Sequence, residues 1–265
     1  MVLIDGHVHF HACHPLDDAL DAAARNAART GGSPEIVLWL VEARGEGSLE
    51  RIRSHEGGRW RRIRRDEVTW EMRREPDGRI LIVAGRQLTT AEDLEVLLVG
   101  TGAAPAEGRS LPATVEPWLG GDALVMLPWG FGKWTRSRGR VVERAYDDYA
   151  AAGLRLADTG LRTAWMPRPG LFARSERDRR PVLTGSDPFP FPERIDAIGG
   201  TGMMLGEDGA PDDGGGLSDV AWPALRRRLA DLETPVERFG GGLSTPDFIS
   251  LQARIQVRKR LRGGR

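Results

Sequence analysis

The chain predicts an α/β barrel, and three features carry that expectation. Short, uninterrupted apolar runs recur, which is how strands covered on both faces read. They alternate with segments whose apolar residues follow a helical period. The runs also stop repeatedly at Gly, Asp, Glu or Lys, residue types suited to the carboxyl ends of barrel strands, where chemistry is delivered. At 265 residues the chain has the length of one such barrel or of two small domains.

In order, Val2-Leu3-Ile4 reads as a buried strand running into Asp5-Gly6. A helix follows from Pro15 to about Arg29, with Leu16, Ala19, Leu20, Ala23 and Ala27 on one face and Gly31-Gly32 behind it. Ile36 to Val41 is a continuous apolar run closed by Glu42, which completes a strand, helix, strand unit. Trp60–Arg65 and Val68–Arg74 are polar and alternating, with a Pro76-Asp77-Gly78 turn behind them. The cluster Arg59, Arg61, Arg62, Arg64 and Arg65 is offset by Glu67, Glu71 and Glu75, so an antiparallel, charge-balanced ribbon inserted in the barrel is expected.

Further strands are expected at Ile80–Ala84, Leu94–Val99, Ala123–Leu127, Leu154–Ala157 and Pro181–Thr184, the last taken as the final core strand. Helices are expected at Pro112–Leu119 and Val141–Ala152. Between them lies Pro128-Trp129-Gly130-Phe131-Gly132-Lys133-Trp134, a loop rich in glycine and tryptophan. Residues 1–205 are assigned to the barrel and 206–265 to a Gly-rich linker and C-terminal helices packed on or trailing the barrel. There, two Gly-Gly-Gly-Leu-Ser copies (214–218 and 240–244) precede helical segments near 219–231 and 246–261. Ser218, and Ser244 or Thr245, suit helix N-caps, and the basic tail from Arg254 suits a frayed, solvated end.

Histidines stand at every second position in His7-Val8-His9-Phe10-His11. A strand turns alternate side chains to one face, so His7 and His9 share a face and can grip one metal ion; an ordinary polar edge strand shows the same spacing. All five histidines (His7, His9, His11, His14, His55) precede residue 56, so any metal site must take its remaining ligands from carboxylates further on. His11 lies one pleat outward and His14 at a helix start. His55 sits in a loop.

Lys+Arg 38 balance Asp+Glu 38, so no general affinity for nucleic acid or an anionic membrane is implied. The single cysteine, Cys13, excludes an internal disulfide, and no signal-like or membrane-length apolar run is present. A reduced, cytoplasmic setting is the expectation. Only Lys133 and Lys259 are lysines in a chain that otherwise uses arginine, which singles out Lys133 as a point-charge ammonium.

The order of motifs resembles the PHP (polymerase and histidinol phosphatase) domain family over about residues 1–200. Asp5-Gly6-His7-Val8-His9 matches its opening Asp-x-His-x-His. Leu40-Val41-Glu42-Ala43 lies where the family has Thr-Asp-His, and Gly85-Arg86-Gln87 resembles Pro-Gly-x-Glu with Gln87 in place of the metal-bridging glutamate. Glu95 stands on the strand that bears a ligand histidine, Trp129 at the histidine of Ala-His-Pro, and Thr184-Gly185-Ser186-Asp187-Pro188-Phe189 matches Gly-Ser-Asp-x-His up to Phe189.

The resemblance implies a distorted (β/α)7 TIM-like barrel with a C-terminal helical extension, and a metal-dependent, phosphoesterase-like hydrolase. The implied ligands are His7, His9 and Asp187, with Glu42 and Glu95 as carboxylate partners, around one divalent Zn, Mn or Fe ion that acidifies water. Asp187, or Glu42 in its place, is the implied base. Lys133, Arg86 and Arg138 are the implied holders of a small anionic substrate such as a phosphate ester, and Trp129 and Trp134 can flank a ring. Two other readings stay open: an amidohydrolase-like enzyme cleaving a C–N bond or lactone, and a degenerate barrel serving as a binding scaffold.

Overall fold

The computed structural model describes residues 1–33, 35–205, 222–230 and 236–263. In chain order the elements are β1 (Val2–Val8), α1 (Leu16–Gly31), β2 (Glu35–Glu42), α2 (Ser48–Arg53), β3 (Arg61–Arg64), β4 (Thr69–Arg74), β5 (Gly78–Thr89) and β6 (Glu95–Val99). There follow α3 (Leu111–Val115), β7 (Leu124–Pro128), α4 (Arg136–Tyr149), β8 (Arg155–Thr159), α5 (Gly170–Arg177), β9 (Leu183–Gly185), β10 (Gly202–Leu205), α6 (Trp222–Ala230), β11 (Glu237–Phe239) and α7 (Thr245–Gly263).

The strands form one mixed, nearly closed, barrel-shaped sheet in the order β11-β10-β1-β2-β5-β6-β7-β8-β9. β9 returns to β1, where the Asp187 amide donates to the His7 carbonyl at 2.8 Å. Pairing is parallel for β1–β2, β2–β5, β7–β8 and β8–β9. It is antiparallel for β5–β6 and β6–β7, so β6 runs against its neighbours and the strict βα alternation is broken there. The Thr90–Leu94 connection is too short for the crossover that a parallel pair needs, and this forces the reversal.

Alternate residues of the strands face inward. Val37, Trp39 and Val41 of β2 meet Leu81 and Val83 of β5, Leu97 and Val99 of β6, Met126 of β7 and Leu183 of β9 inside the barrel. Their neighbours Leu38, Leu40, Ile80 and Ile82 face outward under α1. Val96, Leu98, Val125 and Leu127 do the same under α3 and α4. Continuous apolar runs therefore mark strands with both faces buried.

The expected ribbon is β3 and β4, paired antiparallel and joined to β5. Four of these elements fall outside the sequence expectations: the short helices α2 and α5, and the strands β10 and β11. β9, within the expected final strand, stays at one end of the strand order, while β10 and β11 follow it in the chain and extend the sheet from β1 at the other end; β11 lies within the stretch assigned to an extension, so that edge comes from beyond residue 205. The first Gly-Gly-Gly-Leu-Ser copy with Ser218 lies outside the described residues; in the second, Ser244 caps α7 by accepting from the Asp247 amide at 3.3 Å.

The two C-terminal helices serve opposite ends of the barrel. Trp222, Leu225 and Leu229 of α6 enter the inner core, and Trp222 donates to the Asp122 carbonyl at 2.9 Å, below β7. α6 thereby plugs the amino-terminal end. α7 packs beside the carboxyl-terminal end. There two arginines of the basic tail are engaged: Arg254 pairs with Glu193 and stacks on Phe191 at 4.0 Å, and Arg258 donates to the Pro190 carbonyl at 2.8 Å. Among the described residues no helix is long and apolar enough to cross a membrane.

Candidate metal centre

β1 reaches the mouth of the barrel with its inward face switched. Asp5 pairs with Leu38 and Val8 with Leu40, so three steps along β1 span two along β2. Such a bulge moves every later side chain to the opposite face. Ile4 accordingly belongs to the inner core and Val8 to the outer layer, and His7 and His9 turn inward. Gly6 permits this: a Cβ there would stand 2.8 Å from the Thr184 carbonyl oxygen.

Asp5 ties the bulge down. It is fully buried and accepts hydrogen bonds from the amides of Ser186 at 2.8 Å, Gly199 at 2.9 Å and His7 at 3.3 Å. Burial lifts its carboxyl to about 7 despite these bonds. The link to Ser186 fixes the turn after β9, where Asp187 adopts φ 49°. That left-handed backbone, which aspartate tolerates better than most residues, swings its carboxylate back toward His7.

Four side chains converge there. His7 Nε2 lies 3.0 Å from His9 Nε2 and 3.0 Å from Gln87 Oε1, and His9 Nε2 lies 3.1 Å from the same oxygen. Asp187 Oδ1 stands 3.6 Å from His7 Nε2. His7, His9 and Asp187 together have the spacing of a metal-binding group. Protons alone cannot satisfy the triangle of two imidazole nitrogens and one amide oxygen. With one proton between the rings, at least one edge opposes two lone pairs; with two protons, the nitrogens oppose each other as donors. A cation satisfies all three at once, and the nitrogen-plus-carboxylate donor set suits zinc, manganese or iron. The residues present therefore fit the metal that the resemblance implies.

A second layer surrounds the first. Glu46 Oε2 lies 3.2 Å from His9 Nδ1, and Glu46 Oε1 lies 2.6 Å from His11 Nδ1. His11 stacks on His9 with ring centroids 5.3 Å apart and reaches the Pro188 carbonyl at 2.8 Å. Burial alone would raise Glu46, but the hydrogen bonds from His11 and His9 hold it well below the carboxylate range. Burial opposes a charge on His9, yet Glu46, Asp187 and Glu95 lift it above its ordinary value. Burial depresses His7 below its own. The mouth is thus a pocket of negative potential built around two imidazoles.

The sequence candidates divide here. His7, His9 and Asp187 are brought together. Glu95 faces the same mouth from the upper end of β6, close enough to act electrostatically on both imidazoles, and is held by Lys133 Nζ at 3.3 Å. Lys133 therefore stands at the rim, while Arg138 is one step further out, on Asp93 at 2.5 Å. Glu42 and Arg86 are not part of the cluster. They are register partners on the outward face, paired with each other. Glu42 also accepts from the Leu49 amide at 2.9 Å, and Arg86 donates to the carbonyls of Ala103 and Gly102. Leu38 and Leu40 already face outward, and the pleat carries Glu42 with them.

Three contributors were not among the sequence candidates. The resemblance marks Gln87 as a lost glutamate, yet its carbonyl oxygen meets both imidazole nitrogens of the cluster. Asp5 was visible only as the first letter of a motif. Glu46 carries a signal in the sequence: an acid between Gly45 (φ 75°) and Gly47 (φ 68°), just past a strand's carboxyl end. His14 is buried and bonded to the Phe191 carbonyl at 2.9 Å, and His55 to the Trp60 carbonyl at 2.7 Å; neither joins the cluster.

The architecture is similar to the crystal structure of PsfC from Pseudomonas syringae PB-5123, with a TM-score of 0.55 at 14% sequence identity, covering 96% of this chain and 97% of that one. At that identity the likeness concerns the fold alone. No family model matches the chain, and no curated protein sequence matches it.

Proposed function

We propose that the chain is a divergent PHP-type enzyme on a distorted (β/α)7 barrel: a metal-dependent, phosphoesterase-like hydrolase of small anionic substrates. The observation that carries this reading is the convergence of His7 Nε2, His9 Nε2 and Gln87 Oε1 within 3.1 Å of one another, with Asp187 alongside. Four donors suit one ion with positions left open, rather than a multinuclear cluster. A divalent ion bound there supplies Lewis acidity and makes water a nucleophile near neutral pH.

The chain's own residues do the rest. His7 and His9 present neutral Nε2 lone pairs, and Glu46 fixes the His9 tautomer by accepting from Nδ1. Asp187, more exposed than His7, is the base that takes the proton of the attacking water. Lys133 can exchange its bond to Glu95 for the anionic group of a substrate. Glu42 and Arg86 have no part in this scheme, because they neutralise each other on the outer face.

Metal analysis of protein purified without chelator tests the reading. One equivalent of zinc, manganese or iron is expected in the wild type, with loss from the His7→Ala, His9→Ala double variant. A metal-free wild type whose melting temperature ignores added metal would leave only the scaffold reading. Parallel phosphate-ester and amide or lactone panels then separate phosphoesterase from amidohydrolase chemistry.

A further inference from the structure

Beside the metal cluster lies a second concavity of about 490 Å3, between the loop that leaves β7 (Trp129 to Thr135) and the loop that leaves β8 (residues 160–169). Both loops spring from the carboxyl ends of their strands, the same end of the barrel as Gln87, Glu95 and Asp187. The first is tethered to the mouth by its own Lys133, whose ammonium stands 3.3 Å from Glu95.

The walls are largely aromatic. Trp129, Phe131 and Trp134 come from one loop and Trp165 and Met166 from the other. Phe131 is 56% exposed and Trp165 58% exposed, the two exposed large aromatics among the described residues, and both face this cleft. Leaving such rings in water forgoes the free energy of burying them, so their position asks for an occupant. They are also held in place. Phe248 of α7 meets Phe131 edge-to-face at 5.1 Å and Trp165 at 6.2 Å, and Trp134 meets Phe172 at 5.6 Å. Rings braced beforehand lose little entropy on binding.

We infer that this cleft binds a planar aromatic ring, and that the substrate is therefore an anionic ester carrying an aryl or heteroaromatic group. The inference rests on the hydrolase reading for the ester but not for the ring. The volume falls in the range of small-molecule sites, roughly 300–1,000 Å3. Aromatic side chains on facing loops provide the stacking surfaces that hold bases and aryl groups. Lys133 lies on the same loop as Phe131 and Trp134 and stands at the mouth on Glu95, so a ring in the cleft directs its anionic substituent toward that ammonium.

The test is equilibrium binding by calorimetry with adenosine, adenosine 5′-monophosphate, phenyl phosphate, glycerol phosphate and inorganic phosphate. The proteins are the wild type, Trp165→Ala, Phe131→Ala and the His7→Ala, His9→Ala double variant. The expected result is tighter binding of both ring-bearing phosphates than of glycerol phosphate. Trp165→Ala should cost ring ligands about tenfold, corresponding to ~1.4 kcal/mol, and leave inorganic phosphate unaffected. Adenosine binding should survive the histidine substitutions. If it does while phosphate affinity ignores them, the ring site stands and the metal reading falls. Adenosine against phenyl phosphate separates a nucleobase from a simple aryl group. Equal affinity for ring-bearing and ring-free esters would overturn the proposal, as would ring binding indifferent to Trp165→Ala and Phe131→Ala. A dimer that these two substitutions dissociate, with no ring binding, would also overturn it.

Discussion

At the scale of the residue, Glu46 shows how much of a site lies behind its ligands. Its two oxygens serve the Nδ1 atoms of two different histidines. A carboxylate so placed fixes the tautomer of His9 and raises the basicity of the nitrogen that faces the cluster. Glu46→Gln is therefore expected to weaken metal binding by about ten- to a hundredfold while leaving the fold intact. Competition with a calibrated chelator, alongside an unchanged circular dichroism spectrum, measures it. An affinity within twofold of the wild type would reassign Glu46 to the packing of its loop. Gln87 carries a related lesson: glutamine keeps a carbonyl oxygen where glutamate would have put a charge, so the position still donates to a cation while making the centre less anionic.

Among the elements, the inserted ribbon has its own electrostatics. Glu71 of β4 is fully buried and is gripped by Arg65 and Arg73 as well as by Arg79, whose Nε lies 2.9 Å away. Burial alone would raise its carboxyl, but hydrogen bonds from Arg73 and Arg65 and the charge of Arg79 hold it below its ordinary value of 4.5. A carboxyl depressed in the folded state binds protons more tightly when unfolded. Its stabilisation is thus complete above the unfolded value and is lost as the pH falls through the folded one. The wild type should lose stability on acidification below about pH 4.5, and Glu71→Gln should flatten that part of the profile while being less stable at pH 7. Urea midpoints at pH 3.5, 5 and 7 test this; parallel curves for the two proteins would refute it. The charge balance of the ribbon was readable from composition, but which glutamate is buried among the arginines depends on the register of β3 on β4, in which Glu71 faces Ile63.

On the scale of the whole molecule, the barrel is sealed at one end and open at the other. Trp222 is 2% exposed, meets Trp39 edge-to-face at 6.3 Å, and lies over Gly100, whose φ of 83° and missing Cβ make room for the indole. Trp222→Ala empties that space and should cost about 3–5 kcal/mol, the usual range for a buried large aromatic. The denaturant midpoint should fall with little change in slope. A loss under about 1 kcal/mol would mean that α6 is not part of the cooperative unit. At the other end the mouth collects Gln87, Glu95, Asp187 and the two aromatic loops, with α7 bracing them through Phe248. The C-terminal segment, assigned from composition to a linker and to helices packed on or trailing the barrel, supplies an edge strand, a plug and a brace.

By itself the sequence determined the α/β class, the positions of most core strands and the shared face of His7 and His9, because these follow from local periodicity; that Asp187 is the late carboxylate beside them was implied only by the motif resemblance. Only the tertiary structure decided which face each side chain takes and which acids reach the mouth. A one-residue bulge in β1 brings the histidines inward. An unbroken pleat in β2 sends Glu42 outward, while a loop closed by two glycines returns Glu46. Bulges and loop paths are properties of how strands register on one another, and a pattern with a period of two reads the same on either side of the slip.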